Sequence, residues 1–440
     1  MMSSPAATRR GLGFLLAAAA LLLAACAPQR EAPAPEPGAS EPPAQAETLP
    51  LPATVYGPGE AKVALLVPLS GPAAPVGQAI LNAAEMALFE LAGPGFQLMV
   101  KDTGGTPDGA AAAAQEAVLD GAQLILGPLF STSARAAAPM AVGGVVPLLS
   151  FSNDLTLAQD GVFVLGITPD SQIDQVVAYA VSQGRTRIAL LAPENSYGQA
   201  SLVALRRAAD RHGALMASTI FYPPGTTDVS PQVQVLADYN ARRAALLAER
   251  RRLSARNDQQ SRSELERLME QETLGDVPFD SVLIPAGGRE LLLVAPLLPF
   301  YDVDPDEVQF LGTMLWDDVS LGTEPSLAGG WFATPDRRSW EAFSRRYEAL
   351  FGEKPPRVAS LGYDGTALAA VLTRQAEAAG QAVVFDAISL TQAEGFVGVD
   401  GIFRFRPDGT AERGLSVQEL QRGQIIERAV APSSFAGAIN

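Results

Sequence analysis

The stretch KVALLVPLSGPAAPVGQAILNAAEMAL, residues 62 to 88, contains the order of elements that decides the fold. Its opening KVALLVPL is almost entirely apolar, as expected of a β-strand buried on both faces of a sheet. After a polar turn at Ser70 and Gly71, apolar residues recur at helical spacing from Val76 to Leu91. A strand, a short polar loop and an amphipathic helix in this order predict one unit of a parallel α/β sheet.

The same alternation continues along the chain and restarts after residue 170. Further strand-like runs occupy residues 96–102, 124–128, 147–152, 187–194, 215–223, 280–286 and 309–313. Segments with helical periodicity separate them, which predicts an α/β fold of two doubly wound parallel-sheet lobes. Near the chain end, RPDG lies between alternating residues and predicts a β-hairpin within residues 401–427.

A charged segment without a strand-like run interrupts the second lobe. Leu246 and Leu253 lie seven residues apart, and Leu265 and Leu268 form a second narrow stripe. We predict a helical hairpin over about residues 231–274 that projects from the second lobe. It is either a solvated decoration or a feature that binds a partner.

Hydroxyl side chains follow three strands of the first lobe. In open parallel sheets, ligands bind beyond the carboxyl ends of the strands, so these loops predict one side of a ligand cleft. Each hydroxyl alone could equally be a helix N-cap that contributes about 1 kcal/mol. The candidate residues are Ser70 after the first strand, Ser131 and Thr132 after the third, and Ser150, Ser152 and Asp154 after the fourth.

Composition excludes several classes of function. A formal charge of −16 disfavours nucleic acid as a partner, because phosphate binding needs a basic surface. His212 is the only histidine and Cys26 the only cysteine, so the sequence has no zinc-site spacing and no Ser-His or Cys-His pair. Neither phosphate-binding fingerprint is present. We predict a protein that is not an enzyme and uses no metal or cofactor, with a carboxylate-based cleft hydrolase as the remaining catalytic alternative.

The N-terminus has the layout of a secretory signal. Two arginines precede an apolar run of about fifteen residues, too short for a membrane span, and small residues precede Cys26. The sequence LAAC at residues 23–26 resembles the bacterial lipobox, which implies removal of residues 1–25 and acylation of Cys26. Since alanine rather than aspartate follows the cysteine, the resemblance implies an outer-membrane anchor facing the periplasm. Residues 26–60, rich in Pro, Ala and Glu, predict a disordered tether.

Four stretches together resemble type I periplasmic binding proteins of the branched-chain amino acid receptor superfamily. They are residues 62 to 88, KDTGGTPDGA, LILGPLFSTSARAAAPMA and LLAPENSYGQ. The resemblance covers about residues 61 to 430. It implies two lobes that close over a small ligand, with crossing segments near Thr168, Thr334 and Gly395. The first lobe is then formed by residues 61–168 plus 335–394, and the second by residues 169–334 plus 395–432.

The same resemblance implies which residues touch a ligand. Ser131, Ser152 and Asp154 correspond to first-lobe contacts, and Tyr197 corresponds to an aromatic residue of the second lobe. Asp154 stands where amino-acid receptors have threonine. Their second-lobe tyrosine and ammonium-binding glutamate fall near Gly287 and Met314, so half of the amino-acid clamp is absent.

The lipobox, the tether, the receptor-like body and the inserted hairpin together resemble the penicillin-binding protein activator family of the LpoA type. This resemblance implies a lipoprotein that regulates peptidoglycan synthesis by contacting a penicillin-binding protein. The alternative is a lipid-anchored periplasmic solute receptor for an amino acid or another small polar ligand, serving an ABC importer or a sensor.

Overall fold

The computed structural model describes residues 54–56, 60–141, 146–256 and 258–435. The predicted signal peptide, Cys26 and most of the predicted tether lie outside the described residues. No helix within these ranges combines the length and the apolarity that crossing a membrane requires.

The first lobe is built on a six-stranded sheet in which five strands are parallel. The strands lie in the order β1-β3-β2-β4-β5-β6, so the connections reverse direction between β2 and β4. Ligands of open α/β sheets bind at such a switch point. The strands are β1 (Thr54–Tyr56), β2 (Ala61–Val67), β3 (Phe96–Asp102), β4 (Leu124–Leu126), β5 (Leu148–Ser150) and β6 (Val162–Val164), and the helices between them are α1 (Ala74–Leu91), α2 (Pro107–Leu119) and α3 (Ser131–Ala137).

The prediction that the tether extends to residue 60 was wrong at its carboxyl end. Residues 54–56 form β1, which pairs antiparallel with β3 from Thr54 opposite Val100 to Tyr56 opposite Leu98. The edge of β3 presents backbone N–H and C=O groups, and the short sequence TVY has the β-branched and aromatic residues that favour a strand there.

The second lobe has a sheet with five parallel strands. Val282, Phe310 and Phe332 from three of these strands pack in one of its cores, and Ile188 and Leu190 pack in a core on its other face. The strands are β7 (Arg187–Pro193), β8 (Leu215–Tyr222), β9 (Ser281–Leu283), β10 (Gln309–Gly312) and β11 (Trp331–Thr334). The helices are α4 (Pro169–Ser182), α5 (Ser196–His212), α6 (Ser230–Leu236), α7 (Tyr239–Ser254), α8 (Gln259–Met269), α9 (Gly288–Val294) and α10 (Leu297–Phe300).

The chain then returns to the first lobe, where it stays longer than the sequence predicted. Phe396, Phe403 and Phe405 belong to the core of the first lobe, and the Phe405 ring lies 5.2 Å from that of Phe163. The predicted crossing near Gly395 was therefore wrong, because these alternating aromatic residues are buried against the first lobe. The elements of this return are α11 (Arg337–Phe351), α12 (Ala359–Ala378), α13 (Ala387–Leu390), β12 (Phe396–Gly398), β13 (Gly401–Phe405) and β14 (Ala411–Arg413).

Two β-hairpins end the described chain. The RPDG turn joins β13 to β14, with Phe405 opposite Ala411, and confirms the predicted hairpin. The chain next enters the second lobe, where β15 (Ser416–Gln421) and β16 (Gln424–Ala429) form a second hairpin. β15 pairs antiparallel with β11, which gives the sheet order β16-β15-β11-β10-β9-β7-β8.

The helical hairpin consists of α7 and α8 and is shorter than predicted. Leu246, Leu253 and Leu268 form a small buried cluster between the two helices. The predicted start at residue 231 was wrong, because Val233 and Leu236 of α6 are part of the core of the second lobe.

Candidate ligand-binding site

A cavity of about 470 Å³ lies beyond the carboxyl ends of the first-lobe strands, where Met314 of the second lobe faces them. Its volume lies within the range of about 300–1,000 Å³ that is typical of small-molecule sites. Seven of its lining side chains are apolar and five are polar. The described residues that line it are Leu129, Phe130, Ser131, Phe151, Ser152, Asn153, Ile167, Met314, Arg357, Val358, Ser360 and Leu361.

A glycine sets the path of the loop that follows β4. Gly127 has φ +88°, and a Cβ atom there would lie 2.4 Å from the backbone oxygen of Leu66 in β2. Only glycine accepts both the left-handed conformation and this close approach. The loop therefore runs directly beside β2, which places Leu129, Phe130 and Ser131 in the cavity wall.

Ser131 and Ser152 are the predicted residues that line the cavity. Ser131 is the first residue of α3, and the N-cap position is occupied by Phe130, so the Ser131 hydroxyl is not the N-cap of this helix. Ser152 is buried, and its Oγ accepts a hydrogen bond from the Asp154 backbone N–H at 3.1 Å. Both hydroxyls can still donate to a ligand oxygen.

Ser70, Thr132 and Ser150 do not line the cavity. Ser70 and Thr132 are exposed. The backbone N–H of Ser70 donates to Asp102 Oδ1 at 3.2 Å. Burial alone would raise the pKa of Asp102, but hydrogen bonds from Ser70 and neighbouring backbone groups outweigh it and hold that pKa below its usual value. Ser150 is fully buried, and its Oγ donates to the Pro128 oxygen at 3.4 Å, which is a structural role.

Asp154 and Tyr197 also lie outside the cavity lining. The Asp154 carboxylate caps the next turn by accepting from Thr156 N–H at 3.0 Å, and it pairs with Arg135 at 3.2 Å. The Tyr197 hydroxyl donates to Thr313 Oγ1 at 3.1 Å inside the second lobe. Burial raises the pKa of Tyr197, so it remains a neutral phenol.

Arg357 is a residue of the cavity wall that the sequence interpretation missed. It precedes α12 in the stretch PPRVASLGYDG, where it resembles any charged loop residue. In the folded chain its guanidinium lies 4.2 Å from the Trp340 ring centroid, and Nη1 lies 2.5 Å from Asp400 Oδ1. The geometry of this contact is that of an ion pair rather than an aligned hydrogen bond, because Oδ1 has no hydrogen-bond partner among the described residues.

Behind Arg357 lies a buried cluster of charges, formed by Arg357, Asp364, Asp400 and Arg413. Asp364 accepts hydrogen bonds from the backbone N–H groups of Val399 at 2.6 Å and Asp400 at 3.3 Å. Burial and the nearby charge of Asp400 raise the pKa of Asp364 to about 7. Burial lowers the pKa of Arg413, whose Nη2 donates to the backbone oxygen of Leu165, next to the first crossing between the lobes.

The described residues contain no cluster of three or more His, Cys, Asp or Glu side chains that could hold a metal ion. The arrangement instead offers hydroxyls, one guanidinium and apolar walls, which are means of binding a small organic molecule.

Comparison with known proteins identifies relatives of this architecture. A family model described as periplasmic binding protein matches residues 60–424. A curated relative, an uncharacterized protein of Rickettsia prowazekii (strain Madrid E), is 25% identical over 179 residues. That match covers 41% of this chain and 48% of the relative, so it spans about half of the relative's length.

Solved structures with the same fold cover most of the chain. A Rhodospirillum rubrum protein assigned to branched-chain amino acid ABC transport has a TM-score of 0.64 and 19% identity, covering 83% of this chain and 99% of its own. A branched-chain amino acid transporter substrate-binding protein from Streptococcus pneumoniae, in complex with isoleucine, has a TM-score of 0.52 and 19% identity over 84% and 99%. A solute-binding protein of an ABC transporter from R. palustris, in complex with benzoate, has a TM-score of 0.52 and 17% identity over 87% and 100%. The predicted type I periplasmic binding protein fold is confirmed.

Proposed function

Since the chain belongs to the periplasmic binding protein family, we propose that it is a periplasmic receptor that binds a small organic solute between its lobes for an ABC importer or a sensor. The observation that carries the proposal is the cavity at the switch point of the first sheet, with hydroxyls, an amide and a guanidinium in an otherwise apolar wall. Structural relatives in complex with isoleucine and with benzoate support a small organic ligand. The binding of a solute without its chemical conversion agrees with the solute-binding character of the family.

Calorimetric titration with amino acids, aromatic carboxylates and short peptides tests this function. We expect at least one class to bind, and we expect Ser131→Ala to weaken binding because Ser131 lines the cavity. Tyr197→Phe is the matched control, since Tyr197 is bonded to Thr313 outside the cavity lining. If no class of small molecule binds, the receptor function is refuted.

A second candidate function is regulation of peptidoglycan synthesis by contact with a penicillin-binding protein, as in activators of the LpoA type. The observation that favours it is the hairpin of α7 and α8, which has its own leucine cluster and leaves Leu247 and Met269 exposed at 43% and 62%. Exposed apolar side chains on a charged projection are suited to a protein contact.

The base of the hairpin allows a clean deletion. The backbone N–H of Leu274 donates to the backbone oxygen of Arg242 at 3.2 Å, so the two ends of the hairpin lie side by side where they join the lobe. Replacement of residues 243–273 by a short glycine linker should abolish co-purification with a penicillin-binding protein while solute binding is kept. If the partner is still captured by the shortened protein, the hairpin is not its binding site.

We also propose that the protein is a lipoprotein of the outer membrane, anchored through Cys26 and facing the periplasm. The lipobox resemblance at residues 23–26 supports this location. Mass spectrometry of the mature chain should find an acylated Cys26 at the N-terminus, and Cys26→Ser should release the protein from the membrane fraction. A mature chain without acyl groups would contradict the anchor.

A further inference from the structure

The cavity wall carries a positive charge that no acid among its described residues balances. Arg357 is the one charged side chain among the described residues that line the cavity. Asp154, which the sequence placed beside a ligand, is turned away and held by Arg135 and Thr156. From the described part of the chain, a ligand in the cavity therefore meets a cation and neutral polar groups, but no carboxylate.

The guanidinium of Arg357 is held in place from behind. It stacks over Trp340, and Nη1 pairs with Asp400, whose side chain is completely buried. Nε is itself buried and has no hydrogen-bond partner among the described residues, so a ligand must reach the exposed part of the guanidinium instead. About a quarter of the Arg357 side chain is exposed, which leaves it open to a partner in the cavity.

The acids around Arg357 already have partners in the fold. Asp400 Oδ2 accepts a hydrogen bond from the Ser360 hydroxyl at 2.7 Å. Asp317 of the second lobe lies close enough for Arg357 to influence its pKa, but its carboxylate is paired with Arg337 and bonded to Thr334. Neither acid lines the cavity.

The rest of the wall is suited to an apolar body with one anionic end. Phe130, Phe151, Met314 and Leu361 supply apolar surface, and Ser131 and Ser152 add hydroxyl donors. A carboxylate against Arg357 would gain charge-assisted hydrogen bonds. The ammonium of an α-amino acid would lose its hydration beside a cation, with no acid to compensate.

We propose that the cleft binds an apolar monocarboxylate in preference to the corresponding α-amino acid, and that Arg357 pairs with the carboxylate. This specificity rests on the receptor function proposed above. Arg357 is then the residue that discriminates between the anionic monocarboxylate and the zwitterionic α-amino acid.

Three ligands of nearly equal shape test the inference on the unaltered full chain. Leucine is 4-methylpentanoate with an ammonium group on the α-carbon. In 4-methylpentanamide a neutral amide replaces the carboxylate. Calorimetry should show 4-methylpentanoate binding more tightly than either, by on the order of tenfold or more. Equal binding of the acid and the amide would overturn the role of charge. Tighter binding of leucine would overturn the specificity while the receptor function stands, and absence of binding by all three, together with the wider ligand panel, would overturn both.

Variants then test the residue. Arg357→Gln should weaken 4-methylpentanoate binding on the order of tenfold to a hundredfold and leave amide binding nearly unchanged. Arg357→Lys keeps the charge but not the planar fork, so it should restore part of the affinity. Arg135→Gln is the matched control, because Arg135 lies on α3 near the cavity but pairs with Asp154 outside its lining. A folded Arg357→Gln protein that binds the acid as tightly as the unaltered chain would refute the assignment.

Arg357→Gln removes one of the two cations that act on the buried Asp400, which is destabilising. The melting temperature of each variant is therefore measured first. If Arg357→Gln does not fold, the comparison of acid, amide and amino acid on the unaltered chain decides the matter.

Discussion

The titration of Asp364 should make the stability of the first lobe depend on pH near neutrality. Its carboxyl group is buried in the cluster behind the cavity, and burial together with Asp400 raises its pKa from 3.8 to about 7. Between these two pH values the folded protein holds a proton that the unfolded chain releases. The contribution of Asp364 to stability is therefore fully present below about pH 4, and it is lost as the pH rises towards 7.

The size of this effect follows from the shift. One pKa unit corresponds to about 1.4 kcal/mol. A shift of about three units can therefore lower the free energy of unfolding by at most about 4 kcal/mol between low and high pH. About two of these units fall between pH 5 and pH 7, which gives a loss of about 3 kcal/mol in that interval. Above about pH 7 both states are ionised and the slope from Asp364 ends.

Asp364→Asn isolates this contribution, because an amide does not ionise. The amide oxygen can still accept from Val399 N–H, so the fold should be kept. Urea unfolding followed by circular dichroism at pH 5, 6, 7 and 8 should show the variant gaining about 3 kcal/mol relative to the unaltered chain as the pH rises.

Asp408→Asn is the matched control. Burial would raise the pKa of Asp408, but hydrogen bonds from Thr410 outweigh it and hold the pKa below its usual value, so this group stays ionised from pH 5 to pH 8. The free energy of unfolding of the control should depend on pH in the same way as that of the unaltered chain. If the free energy of unfolding of Asp364→Asn also follows that of the unaltered chain, Asp364 does not titrate between pH 5 and pH 8.

Three further predictions concern packing, and urea unfolding at one pH measures each. Gly198→Ala should cost about 1–3 kcal/mol or more, because its Cβ would lie 1.9 Å from the Pro193 oxygen; a neutral result would contradict this close approach. Trp316→Phe should cost about 2–4 kcal/mol, because the buried indole N–H donates to two backbone oxygens; a cost below about 1 kcal/mol would be contrary evidence. Leu253→Ala should cost about 2–3 kcal/mol and speed hydrogen exchange in α7 and α8, whereas Leu247→Ala, at a half-exposed position, should do neither.

The sequence predicted the lobes because buried parallel strands have a local signature. Runs such as LLV at 65–67 and LIL at 124–126 are apolar on both faces, and their order with the helices specifies a doubly wound sheet. The third crossing was misplaced because β12 to β14 form a separate small sheet that packs on the first lobe. The residues of a hairpin show which face is buried, but they do not show which lobe buries it.

The cleft was predictable in place but not in its residues. Loops at the carboxyl ends of parallel strands meet at one edge, so strand order predicts the loops that contain Ser131 and Ser152, but it also selected Ser70, Thr132 and Ser150, which do not line the cavity. Whether Asp154 faces a ligand or Arg135 depends on a side-chain direction that strand order does not set. Arg357 could not be found in this way, because it comes from residues more than 200 positions after β5 and acquires its position from Trp340 and Asp400.

The buried charges behind the cleft connect the ligand site to the crossing between the lobes. Arg357 pairs with Asp400, and the charges of Asp364 and Asp400 act on Arg413. When Asp364 is protonated, the cluster loses a negative charge, and the cavity wall gains positive character. Arg413 also donates to the Leu165 oxygen beside the first crossing, so Arg357 in the cavity wall and the backbone at this crossing share one set of buried partners. A carboxylate bound at Arg357 would supply the missing negative charge, so its affinity should rise as the pH falls from 8 to 6, and calorimetry with 4-methylpentanoate over that range should show this rise. An affinity that is constant over this range, or the same dependence in Asp364→Asn, would separate the ligand site from the buried cluster.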